Sequence, residues 1–344
     1  MPELIPDLSQ PQGWLPLAFL ILMGLSMAIY VVLDGFDLGV GILLRNVEDA
    51  DKDVMISSID PFWDANETWL VLGVGLLLVA FPEAHGVILG ELYLPVAAML
   101  AGLILRGVAF DFRVKAQDSH KAAWNTAFWA GSVLAAFAQG MMLGLYVAGF
   151  GRTPGHIAFA LFTGLCLVAA YALLGATWLL LKTSGELQQR AAAWARRSLL
   201  FCALGVAAVS VATPLVSRAI FEKWFSFPNV LMLAPVPLMT AALFVFVWVV
   251  LKRLPPRLAA GNQAWCWTPF AASVGIFVLT FNGLAYSLFP YLLIDRLTIW
   301  EAASAPDSLM VIFVGAVVVV PAIAGYTVYS YMVFRGKTRE LSYG

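Results

Sequence analysis

Apolar runs of about twenty residues recur along the whole chain, separated by short polar breaks, and no soluble domain interrupts them. Runs of that length match the roughly 30 Å hydrocarbon core of a bilayer. Backbone polar groups have no water to bond with there, so repeated runs of this kind fold as helices. The segmentation predicts about nine spans, near 14–44, 67–81, 88–110, 125–149, 157–181, 198–217, 230–251, 267–290 and 309–334. The first run is longer than a bilayer needs, so its last turns project or tilt. The second is short and meets Phe81-Pro82, which predicts a tight hairpin to the third. Only 12% of residues are charged, against about 25% in soluble domains. The chain therefore reads as an all-α polytopic membrane protein. With an acidic Met1–Asp7 and no small-residue cleavage site, the first run is expected to be retained. A formal net charge of −1 gives no reason to expect a nucleic-acid partner.

Charge bias supplies an orientation, because cytoplasmic connections collect Lys and Arg. Connections after spans 1, 3, 5 and 7, with the C-terminal tail, hold Arg45, Lys52, Arg113, Lys115, Lys121, Lys182, Arg190, Arg196, Arg197, Lys252, Arg253, Arg257, Arg335, Lys337 and Arg339. The opposite side holds only Arg152, Arg218, Lys223 and Arg296. This predicts an outer (periplasmic) N-terminus and a cytoplasmic C-terminus, in agreement with an odd span number.

Asp34-Gly35-Phe36-Asp37-Leu38-Gly39-Val40-Gly41 lies late in span 1, and Trp63-Asp64-Ala65-Asn66-Glu67-Thr68-Trp69 opens span 2 at the same face. Arg106 and Asp111 lie where span 3 returns to it. Ionisable groups near membrane depth cost about 2.5–3.5 kcal/mol each at a helix centre, so they point to function. Asp34 and Asp37 are three residues apart and share a helix face. Two like charges that close do not both ionise cheaply, so such a pair can take up and release protons. Plainer roles stay open. Asp64 and Glu67 have capping-box spacing, the two aspartates could sit in interfacial water, and Arg106 could snorkel. The three glycines could serve close helix packing.

The absences are equally informative. His85, His120 and His156 all fall in predicted connections, whereas a haem within the bilayer draws His or Met ligands from helices. Met23, Met27, Met99, Met141, Met142, Met232 and Met239 read as packing. No Walker A, GxGxxG or HExxH motif is present, and Cys166, Cys202 and Cys266 lack metal or disulfide spacing. Trp63, Trp69, Trp124, Trp129 and Trp300 sit near span ends, as aromatic belts do. Trp69, beside the acids, could also line a small-molecule route. Pro290 marks the end of span 8, while Pro235 and Pro237 in span 7 and Pro321 in span 9 predict kinks.

The Asp34–Gly41 and Trp63–Trp69 segments, with Arg106-Gly107-Val108-Ala109-Phe110-Asp111-Phe112-Arg113, resemble subunit II of the cytochrome bd-type quinol oxidases. Phe289-Pro290 and Trp300-Glu301-Ala302 are also similar, and Asn66-Glu67-Thr68-Trp69 is similar to the cyanide-insensitive branch. The resemblance implies two four-helix bundles plus a peripheral helix. It places the first bundle in 1–150, the second in 151–308, and the last helix and tail in 309–344. It implies a haem-bearing partner, subunit I, carrying haem b and haem d, with no haem ligand from this chain. It further implies quinol oxidation coupled to reduction of dioxygen to water, in a bacterial cytoplasmic (inner) membrane. Some members hold a structural quinone or add a small accessory subunit, and lipid surrounds the complex. Asp37 and Asp64 match family acids of the proton path, which Asp34 and Glu67 would join, with Arg106 and Asp111 as charge partners. Trp69 matches an aromatic of the oxygen route. Glu67 departs from the amide that some members carry. Two other readings compete: a proton-coupled secondary transporter, and an assembly scaffold with no proton role.

Overall fold

The computed structural model describes residues 6–116 and 118–338. Met1–Ile5 and Arg339 lie outside the described residues, as does the Lys115 side chain. Among the described residues, eight helices are long and apolar enough to cross a membrane. They are α1 (Pro11–Leu43), α5 (Tyr93–Lys115), α6 (Asp118–Val147), α7 (Pro154–Lys182), α8 (Gly185–Val216), α11 (Pro235–Ala259, continuing a short α10, Asn229–Leu233), α12 (Thr268–Leu288) and α13 (Pro306–Val333).

The ninth expected span is α3 (Trp63–Ala80), an 18-residue helix whose first turns hold Asp64, Asn66, Glu67 and Thr68. Those polar residues shorten its apolar part, and it packs along α1. No tight hairpin joins it to α5. Pro82 starts a separate helix, α4 (Pro82–Glu91), and α5 packs mainly on α6. The expected kink in span 7 is an interruption at Ala234, after which Pro235 opens α11. A proline at a first helical position loses no hydrogen bond. Pro321 lies inside α13.

One continuous core runs through α1, α5, α6, α7, α8, α11 and α12. Two close crossings hold it together. A Cβ on Gly39 would come within 1.9 Å of the Tyr171 carbonyl oxygen, and one on Gly175 within 2.3 Å of the Gly39 carbonyl carbon. At the second crossing, a Cβ on Gly131 of α6 would lie 2.7 Å from the Arg106 amide nitrogen of α5. Both are backbone-to-backbone contacts that only small residues permit. A second cluster closes the far end. There Leu15 and Phe19 of α1 meet Ala80, Phe81 and Leu309, together with Leu292 and Ile299 of a short hairpin (β1, Tyr291–Leu293; β2, Leu297–Thr298).

A helix α2 (Asp49–Ser57) folds over the other end. Its flank is tied down by Arg113, which bonds Asp53 (2.5 Å) and Asn125 (2.5 Å), and by Arg190, 3.2 Å from Asp51. The C-terminal tail returns to this end as well. Lys182 donates to the Phe334 carbonyl (2.6 Å), Lys337 to that of Thr183 (2.7 Å), and the Thr338 amide to that of Lys182 (2.8 Å).

Candidate functional site

The whole run from Asp34 to Gly41 is buried. Its glycines face α7 and α6, and that close fit turns the acids toward α3 and α5. Arg106, only 1% exposed, extends from α5 into this space. Its Nη1 lies 2.8 Å from Asp34 Oδ1. Its Nη2 donates to Glu67, and the indole of Trp63 covers the guanidinium at 5.8 Å. Asp37 Oδ2 accepts from Asn66 Nδ2 at 2.7 Å, and Asn66 Oδ1 accepts from the Tyr331 hydroxyl at 3.1 Å. Tyr331 is itself stacked on Phe62 (4.4 Å), so the end of α13 is keyed to the acids.

A second polar chain begins one turn before Asp34. The Tyr30 hydroxyl accepts from Gln139 Nε2 (2.8 Å), and the Tyr171 hydroxyl donates to Gln139 Oε1 (2.7 Å). All three are buried where α1, α6 and α7 meet.

The balance of charge is uneven. One guanidinium pairs with two carboxylates, Asp34 and Glu67, while a third, Asp37, is held by Asn66, and Asp34 and Asp37 are both fully buried. Asp34 Oδ2, Asp37 Oδ1 and Arg106 Nε have no hydrogen-bond partner among the described residues. Buried charge in excess of its counter-charge is costly, and binding a proton relieves it. Chemically the cluster can hold, exchange and pass protons. None of the three carboxylates is placed as a metal site: among the described residues no group of three His, Cys, Asp or Glu is so arranged.

Three expectations need correction. Asp64 does not cap α3. The helix begins at Trp63 with Phe62 as its cap, which puts Asp64 within the first turn, exposed and one turn before Glu67. Asp111 is exposed and pairs with no described residue. Five residues beyond Arg106 it points about 140° away around the helix. Two histidines are not in connections either: His120 and His156 open α6 and α7, whereas His85 lies in α4, a short helix between α3 and α5. They remain at helix ends, and His156 is bound to Thr153 (2.7 Å). Trp69 differs from a belt residue: it is 2% exposed, and its indole N–H is buried without a partner among the described residues.

Asn66, Tyr331, Tyr30, Gln139 and Tyr171 complete the site, and the sequence reading did not single them out. Gln139 was the one with a usable signal, as an amide deep in the apolar part of a helix.

The sequence profile of the cytochrome bd terminal oxidase subunit II family matches residues 15–334. The chain belongs to that family. It is similar to the cytochrome bd ubiquinol oxidase subunit 2 of Bacillus subtilis, 27% identical over 92% of this chain and 94% of the relative. Similarity to the cytochrome bd-I ubiquinol oxidase subunit 2 of Escherichia coli K12 is 28%, over 93% and 94%. The fold is also that of a chain in the bd oxidase of Geobacillus thermodenitrificans, with a TM-score of 0.72 at 16% identity, covering 94% of this chain and 99% of that one. As a subunit II, the chain is a multi-pass membrane component of a quinol oxidase complex and has a subunit I partner. That membership removes the transporter reading.

Proposed function

We propose that this subunit II carries protons from the cytoplasmic face toward the haem-bearing subunit I through Asp64, Glu67, Asp34 and Asp37, with Arg106 holding the group together. The observation that carries this reading is one fully buried arginine set among three carboxylates. Charge alone would be balanced by a single acid, so the excess acids fit a store and relay for protons. Exposed Asp64 is the outer member and half-exposed Glu67 the next. Asp34 and Asp37 form the inner pair, with Asn66 and Tyr331 fixing the second of them. The side chain of Asp111 takes no part in this relay.

The orientation follows from the cations. Arg113, Lys182, Arg190 and Lys337 each hold a neighbouring segment at the end where the acids open, which fits a cytoplasmic face there. In this reading haem b and haem d sit in subunit I, and this chain supplies no ligand to them. The family's quinone, lipid and small accessory subunit are further partners in this reading. The division into bundles at 1–150 and 151–308, with 309–344 as a last helix and tail, is part of the same proposal. Trp69, buried between α1 and α3, is the residue we assign to an oxygen route.

Asp37→Asn and Asp64→Asn in a fully haem-loaded complex are the test. Loss of turnover and of proton uptake with spectra intact supports the relay. Intact turnover in both would leave the chain as an assembly scaffold.

A further inference from the structure

We propose that the end of α11 holds the headgroup of an anionic phospholipid. Val247, Leu251, Leu254 and Leu258 turn one side of this helix into the core, all of them buried. The opposite side carries two adjacent columns at i, i+4, i+8 spacing: Trp248, Lys252 and Pro256, and Val249, Arg253 and Arg257. These six residues line a shallow recess on the outer surface. Pro255 and Pro256 lie inside the helix. A proline has no N–H to give, so the carbonyls of Leu251 and Lys252 lose their usual helical donors there.

The charge of this recess is uncompensated. The side chains of Lys252, Arg253 and Arg257 make no hydrogen bond or ion pair with other described residues. No Asp or Glu occurs anywhere between Glu222 and Asp295. On α8, which packs beside α11, Glu186 is already paired with Arg190 at 2.7 Å. Three cations beside a Trp, at the end of a helix whose outer face is apolar, match a phosphate above acyl chains. Below the recess the same face exposes Val245 (62%) and Leu238 (68%), which acyl chains would cover. A free phosphate fits the cations but leaves that apolar surface bare. A covering protein chain would need acidic groups to meet the cations.

The test uses the purified oxidase complex, delipidated and titrated with phosphatidylglycerol or phosphatidylcholine, and read by native mass spectrometry. Wild type retains phosphatidylglycerol over phosphatidylcholine. Lys252→Gln/Arg253→Gln/Arg257→Gln weakens phosphatidylglycerol retention by about 100-fold, at about fivefold per cation, and leaves phosphatidylcholine unchanged. Where the triple variant does not assemble, Arg257→Gln alone should lose about fivefold. Equal retention by variant and parent overturns the proposal and leaves the cations as orientation signals or as a protein contact. Displacement of the lipid by equimolar inorganic phosphate also overturns it, in favour of a free-anion site.

Discussion

Replacing Arg106 by Gln tests whether the cluster is a buried, charge-coupled unit. Asp34 and Arg106 are 0% and 1% exposed and 2.8 Å apart. Removing the guanidinium strands Asp34 in the interior, and breaking such a pair costs about 3–5 kcal/mol. That is about two to four decades in the folded-to-unfolded ratio. Glu67 adds little to this figure, since its side chain is 28% exposed and water takes over its share. The companion change decides the cause. Asp34→Asn in the Arg106→Gln background removes the stranded charge and should recover about 2–3 kcal/mol as a coupling energy. Trp63, whose ring lies 5.8 Å from the guanidinium, is a local fluorescence reporter for denaturation of the assembled complex. A single variant within about 0.5 kcal/mol of the parent would refute the argument. So would a double variant no more stable than the single, because the loss would then come from packing rather than from charge.

Three further outcomes follow from other parts of the structure. Gly39→Ala forces a Cβ to 1.9 Å from a carbonyl oxygen that cannot swing away. It should cost at least about 2–3 kcal/mol and lower the yield of haem-loaded complex, while Gly315→Ala, with open space around it, should be silent. Tyr331→Phe removes the donor to Asn66 and should cost about 1 kcal/mol in denaturation, with a smaller loss of turnover than Asp37→Asn. Glu301 accepts from the amide and the hydroxyl of Thr298, both at 2.8 Å, which lowers its carboxyl below the ordinary value of 4.5. A carboxylate depressed in the folded state stabilises fully above its unfolded value and loses that contribution as pH falls through the folded one. Hydrogen exchange at the Thr298 amide should therefore speed up as pH drops below 4.5, relative to Glu301→Gln, in which that pH dependence is absent.

The acids were legible because a charge in an apolar segment is expensive and therefore conspicuous, and Arg106 was legible for the same reason. Tyr331 was not, since 265 residues separate it from Asn66. Asn66 itself was hidden between two acids that explained the segment without it. The misplaced hairpin after α3 has a simple physical origin: a proline ends one helix and starts the next equally well, so Phe81-Pro82 reads as a turn until the following residues are seen to continue as α4. Asp111 was grouped with Arg106 by nearness in sequence, but on a helix five residues is the wrong interval to share a face.

The same eight residues, Asp34 to Gly41, explain why acids and glycines occur together. Gly35 and Gly39 press α1 onto Tyr171 and Gly175 of α7, and Gly41 presses it onto Ser132 of α6. The intervening Asp34 and Asp37 then point the other way, to Arg106 and to Asn66. Larger residues at the glycines would hold α1 off the bundle and admit water to the acids. With water present, one arginine among three carboxylates is an ordinary surface cluster that ionises freely. Without it, the inner pair of the relay proposed above is shielded from solvent. If the proposed relay is right, the helix crossing and the proton transfer depend on the same residues, and a variant that loosens Gly39 should reduce proton uptake even where the complex still assembles.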